Sequence, residues 1–253
     1  MRAGIANGSA GNADDRHQGN ASTRFQLGFN KVEDVSRAIH ANRLAASQWL
    51  LPVQADNEHD VRILPENSAC IVLAAGQSRR FGAADKLSSI WRGIPLIFHS
   101  ARMLGDVPFA RRIIVGTSAL CGLEFEGFET VETDDQKAPQ SHSIRLGVEA
   151  VLASRPDAIM IALGDMPLVP ATHISALFAG ASGESTLVAS SNGRSSLPPA
   201  LFGRDHFGAL QNLTGDHGAR HLLAMGKQVM LRPDQSIDID TLQDFEELGR
   251  DVR

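Results

Sequence analysis

The sequence predicts an α/β protein with a mostly parallel sheet covered by helices on both faces. Three observations carry that expectation. From Cys70 onward, short apolar runs alternate with helix-periodic stretches, the pattern of strands joined by crossover helices. The runs are short, rich in β-branched residues and bounded by glycine or polar residues, as strands buried on both faces are. An apolar fraction of 43% over 253 residues supplies a sizeable core, in one large domain or two small ones.

The elements follow in order. Residues 1–22 are small and polar and are expected to form a disordered tail. Residues 23–66 form an extension with one amphipathic helix, marked by Val32, Val35, Ile39, Ala46, Trp49 and Leu50 and ended by Pro52. A short strand is expected at Val61–Leu64. The main domain, residues 67–253, opens with the strand at Ile71–Leu73. Then "IPLIFHSARML" reads as a helix, "RRIIVGTS" as a strand and "SHSIRLGVEAVLAS" as a helix. "DAIMIALGD" and "STLVASS" read as strands on either side of the helix "ATHISALFAGA". "DHFGALQNL" and "GARHLLAMG" read as helices, "QVMLRP" and "SIDID" as extended pieces, and "TLQDFEELGRD" as a closing helix. No internal repeat is visible.

The chemistry concentrates where the first buried strand ends, in "CIVLAAGQSRRFGAADKL". Gly76 permits a turn with either sign of φ and a close approach of backbone to ligand. Successive N–H groups in such a turn form an anion-binding concavity. Arg79, Arg80 and Lys86 add three cations, and guanidinium forks suit phosphate oxygens. The pattern is therefore a polyphosphate cradle at the carboxyl edge of a parallel sheet, where open α/β sheets bind ligands. It is neither of two familiar phosphate loops. Lys86 lies between Asp85 and Leu87 rather than in Gly-Lys-Ser/Thr, and the loop has only Gly76 and Gly82. The competing reading is a surface turn with solvated cations.

Carboxylates answer the cradle from later strands. Asp165, in "LGDMP", follows a buried strand and reaches the same sheet edge. One or two carboxylates together with substrate phosphates commonly hold Mg²⁺. In "SIDIDTLQDFEEL", Asp240 with Gln243 three residues on reads as a capping box for the last helix. Asp238 then remains free to be a second metal ligand.

The motifs "LAAGQSRRFGAADKL", "LGDMP", "GDHGAR" and "DIDT", in this order, resemble the molybdenum cofactor cytidylyltransferases. They also resemble the related guanylyltransferases (molybdopterin-guanine dinucleotide synthases) and methylerythritol cytidylyltransferases. The resemblance covers residues 68–250 and implies a Rossmann-like three-layer α/β/α sandwich. It implies a Mg²⁺-dependent enzyme that moves CMP from CTP to the phosphate of molybdopterin. Leu73, Ala74, Ala75 and Gly76 would line the nucleotide site, and Ser143 would help to read the cytosine. Arg80 and Lys86 would hold the triphosphate, with Asp165 and Asp238 on the metal. "LAAG" in place of "LAGG" favours CTP over GTP. Two segments depart from the family pattern: "KAPQSHS" and Ser196-Leu197, both of which border the acceptor pocket in the family. Partners implied are CTP (or GTP), a phosphate-bearing acceptor such as molybdopterin, and a molybdoenzyme or its chaperone. The alternatives are a guanylyltransferase, a nucleotidyltransferase with another phosphate acceptor, and a non-catalytic nucleotide-binding protein.

Composition sets the outer bounds. A formal net charge of −5 argues against a general nucleic-acid binder. Cys70 and Cys121 form no metal-like pair and suit a reducing compartment. No apolar run reaches membrane-spanning length and no secretory h-region is expected, so a cytoplasmic location is expected. The histidines show no metal spacing, and His142 is the best placed of them to line a site.

Overall fold

The computed structural model of the chain describes residues 62–76, 85–133, 138–215 and 219–250. The expected tail, the expected helix of the extension, and Arg79, Arg80 and Gly82 lie outside the described residues. The strands are β1 (Ser68–Ala74), β2 (Ile90–Trp91), β3 (Ile94–Pro95), β4 (Arg111–Gly116), β5 (Glu129–Glu132), β6 (Ala158–Leu163), β7 (Leu187–Ser191), β8 (Ser196–Gly203) and β9 (Lys227–Met230). The helices are α1 (Leu96–Gly105), α2 (Ser118–Cys121), α3 (Gln140–Leu152), α4 (Ala171–Ala179), α5 (Phe207–Gln211), α6 (Arg220–Leu223) and α7 (Leu242–Arg250).

Seven strands form one sheet in the order β5-β4-β1-β6-β8-β7-β9. β1 pairs in parallel with β4 on one side and β6 on the other. Successive side chains of a strand point to opposite faces, and β1 divides its residues accordingly. Cys70, Val72 and Ala74 join a core with Ile97 and Leu104 of α1 and Ile174 and Leu177 of α4. Ala69, Ile71 and Leu73 join a second core with Ile144 and Val148 of α3, Leu210 of α5 and Leu222 of α6. The result is the Rossmann-like α/β/α sandwich that the sequence predicts.

α3 lies especially close to the sheet. A Cβ on Gly147 would come within 2.5 Å of Ile71 Cγ2, so only glycine lets the helix settle at this depth. The chain also crosses from β5 through α3 to β6, on the far side of β1. The strand order therefore reverses at the β1/β6 boundary, the crevice where such sheets receive ligands.

Local details add to or differ from the reading of the sequence. β8 runs antiparallel to both β6 and β7; Pro198 and Pro199 hid it, since proline demotes a strand reading. The "SIDID" segment, expected as an extended piece, joins no strand of the sheet. Near Val61–Leu64, Arg62 makes only an isolated bridge to Ser182, although Ile63 is buried in the first core. The short β2–β3 hairpin was also not foreseen. It seats α7: Trp91 Nε1 donates to the carbonyl of Phe245 at 3.2 Å, and the Arg92 guanidinium stacks 4.3 Å from the Trp91 ring.

Candidate active site

The carboxyl edge of the sheet at the β1/β6 crevice is closed by backbone. The Gly164 N–H donates to the Leu73 carbonyl at 3.0 Å, placing Asp165 beside the end of β1. The Ile239 N–H donates to the Asp165 carbonyl at 3.1 Å. Ile239 itself is fully buried, and this apolar anchor pins the segment that carries Asp238 and Asp240. Three carboxylates, from two segments far apart in sequence, thus meet at one edge.

Lys86 rises into them from a tight turn. The Asp85 carbonyl accepts from the Ser89 N–H and hydroxyl at 3.2 and 2.9 Å, and Asp85 Oδ1 accepts from the Leu87 N–H at 3.3 Å. Lys86 is buried, and its Nζ lies 2.8 Å from Asp165 Oδ2 and 3.2 Å from Asp240 Oδ1. Burial alone would push its pKa down. Asp165 and then Asp240 outweigh burial and hold it above the ordinary lysine value. The ammonium therefore stays charged, as a fixed cation in a largely water-free position. Asp238 is exposed by surface area, yet the edge partly desolvates its carboxyl. That desolvation, then Asp240 and Asp165, raises its pKa.

The capping role expected of Asp240 and Gln243 is corrected. Asp244 Oδ2 accepts from the Thr241 N–H at 2.8 Å, and Thr241 Oγ1 accepts from the Asp244 N–H at 3.1 Å. This reciprocal box sits one residue later than expected. Gln243 donates instead to Glu247. Asp240 is left for Lys86, which the sequence reading had not assigned to it.

Of the other expected residues, Leu73 and Ala74 are buried at the end of β1, Ala75 is half-buried and Gly76 is exposed. A Cβ on Gly76 would meet nothing within 4 Å, so no contact among neighbours demands glycine there. Ser143 is buried in the first turn of α3. His142 is half-buried, its N–H bonded to the Pro139 carbonyl.

A cavity of about 580 Å³ opens beside this edge. Leu73, Ile161 and Leu163 form its floor, and Asp238 stands at its wall. Ser196 and Leu197, which depart from the family pattern, line it, as does Gln140 from the other departing segment. Arg194 of the β7–β8 turn and Arg220 of α6 also face it. Arg220 lies within the quoted "GDHGAR", whereas no sequence signal marked Arg194.

Mg²⁺ fits the donors present. Among the described residues one buried ammonium stands among three carboxylates, and desolvation, followed by the neighbouring Asp240 and Asp165, raises the pKa of Asp238. Among the described residues no group of three His, Cys, Asp or Glu side chains forms a self-sufficient metal cage. Magnesium held partly by substrate phosphates needs none.

Residues 70–231 match the family model of the MobA-like NTP transferase domain. No curated protein matches the chain. Among solved structures, a homologue of Mycobacterium tuberculosis Rv0371c from Mycobacterium sp. strain JC1 aligns with a TM-score of 0.62 and 28% identity, covering 73% of this chain and 96% of its own. Rv0371c of M. tuberculosis H37Rv, solved in complex with manganese, aligns at 0.60 with 23% identity, covering 74% and 100%. A nucleotidyl transferase from Methanothermobacter thermautotroptrophicus aligns at 0.60 with 22% identity, covering 72% and 95%. At their identity, the last two share the fold. Among the described residues no helix is long and apolar enough to cross a membrane.

Proposed function

Because the chain belongs to the MobA-like NTP transferase domain family, we propose that it transfers CMP from CTP to the phosphate of molybdopterin. An oxygen of the acceptor phosphate attacks the α-phosphorus, the bond to the bridging oxygen breaks, and pyrophosphate leaves. A phosphate monoester is already an anion and needs no strong base, so catalysis is positioning and charge neutralisation. The observation that carries this reading is Lys86, clasped between Asp165 and Asp240 at the carboxyl edge of β1 and β6.

The roles divide along that edge. Lys86 supplies a fixed positive charge for the negative charge shared by entering and leaving oxygens. Arg80, which follows β1 in the sequence, adds a guanidinium for the triphosphate. The backbone from Leu73 through Ala74 and Ala75 to Gly76 receives the nucleotide, and Ser143 helps to select cytosine. Asp165 and Asp238 would hold Mg²⁺, with Asp240 beside them on Lys86; the ion would supply Lewis-acid shielding of the phosphates. The manganese complex of Rv0371c supports a divalent cation in this fold. The cavity lined by Ser196, Leu197, Arg194 and Arg220 takes the acceptor, and the guanidiniums suit an anionic one.

The test is pyrophosphate release from CTP or GTP with molybdopterin and Mg²⁺. Release with CTP, at least tenfold faster than with GTP, is expected. Faster release with GTP makes the chain a guanylyltransferase, and binding of nucleotide without release makes it a non-catalytic binder.

A further inference from the structure

The register between β7 and β8 breaks at one point. Ala189 pairs with Ala200, but the next residue, Ser190, pairs with Leu197. Pro198 and Pro199 are left without cross-strand partners, and neither has an N–H to offer. Such irregularities re-aim side chains next to sites. Here the wall of the cavity is the irregular stretch itself: Ser196, Leu197 and Pro198 line it.

A buried polar chain holds this stretch from behind. Ser190 is fully buried, and its hydroxyl donates to the Pro199 carbonyl at 2.6 Å. With its one proton so used, Ser190 Oγ accepts from His173 Nε2, 2.8 Å away. His173 comes from α4, on the opposite face of the sheet from α3 and α6, and is itself 6% exposed. The bulged carbonyl would otherwise be a buried acceptor without its ladder donor, and such groups are costly to leave unpaired. Burying a histidine and a serine to satisfy one carbonyl is more than an apolar core requires. It makes sense where the position of the bulge matters.

We propose that His173 and Ser190 are positioning residues that, through the Pro199 carbonyl, fix the Ser196–Pro198 wall of the acceptor cavity and so set affinity for the acceptor. The relay touches neither the nucleotide edge nor Lys86. This rests on the reading of the cavity as the acceptor site.

Ser190→Ala removes both hydrogen bonds. Its KM for molybdopterin is expected to rise at least tenfold, with kcat within about twofold and the CTP-induced thermal shift unchanged; Ser190→Thr, which keeps the hydroxyl, restores the KM. Hydrogen exchange is followed in parallel on the intact protein. The segment 196–203 should exchange at least tenfold faster in Ser190→Ala, with 68–74 unchanged. If the wild type does not turn over molybdopterin, the proposed acceptor is wrong and exchange alone decides the relay. If Ser190→Ala fails to fold, His173→Gln and His173→Asn are compared, since the longer amide can reach Ser190. Unchanged exchange at 196–203, a uniform rise across the chain, or an unchanged KM overturns the proposal.

Discussion

The two sides of the crevice are built by opposite means. The charged edge joins Lys86, Asp165, Asp238 and Asp240 through ion pairs and two backbone hydrogen bonds between β1, Asp165 and Ile239. The cavity wall is a proline bulge in an antiparallel strand, held by one buried serine and one buried histidine. On the edge, among the described residues, three carboxylates surround one ammonium; behind the wall, one serine hydroxyl links a histidine ring to a backbone carbonyl. On the proposed function, the difference separates chemistry from selection. Changes at the edge should strike turnover, and changes behind the wall should strike acceptor affinity.

The largest effect is expected at Asp165. Asp165→Ala should lower kcat roughly 10²–10³-fold, while Asp240 still faces Lys86 and keeps the buried ammonium paired. Pyrophosphate release together with urea midpoints checks this; a large loss of stability with normal turnover per folded molecule breaks the division. Asp240 and Thr241 sharpen it, being adjacent residues with opposite roles. Asp240→Ala should lose turnover at a nearly unchanged midpoint. Thr241→Ala should lose about 1 kcal/mol of stability and keep turnover. The reverse result would return Asp240 to helix capping.

A smaller effect is expected under the sheet. Gly147→Ala must push a methyl against Ile71, which is fully buried. Overpacking of about 1–3 kcal/mol outweighs the gain of up to about 1 kcal/mol in helix propensity, so the midpoint in urea should fall. The smallest effect is on pH. Burial holds both His173 and His99 below the usual histidine value. The unfolded chain therefore binds more protons than the folded one below about pH 6.5. Stability is present in full above that pH and declines as pH falls through the folded values. His173→Gln should flatten part of this decline in urea midpoints measured between pH 7.5 and 5.5.

The charged edge was largely legible in the sequence because its groups lie at strand ends in contiguous motifs. Lys86 and Asp165 could be named from "ADKL" and "LGDMP" alone. The exception is Asp240. A helix start with acids or amides at several spacings allows more than one capping box, and only the hydrogen bonds of Thr241 and Asp244 show which one forms. The sheet was legible for the same reason as the edge: β1, β4 and β6 are short buried runs between helices. β8 was not, because two prolines erase the strand pattern that its neighbours restore through pairing. The wall relay left no signal at all. A histidine in α4 and a serine in β7 meet only once the sheet has formed, and their spacing in the chain carries no period.

The most direct measurement follows the label in CTP. With the α-phosphate labelled, CTP, Mg²⁺ and molybdopterin should give a labelled acceptor; with the γ-phosphate labelled, the label should leave in pyrophosphate. Lys86→Met should abolish both the labelling of the acceptor and the release of labelled pyrophosphate. A γ-label on the acceptor would mean phosphoryl rather than nucleotidyl transfer. Undiminished transfer by Lys86→Met would mean that the cation clasped by Asp165 and Asp240 does not serve the reaction.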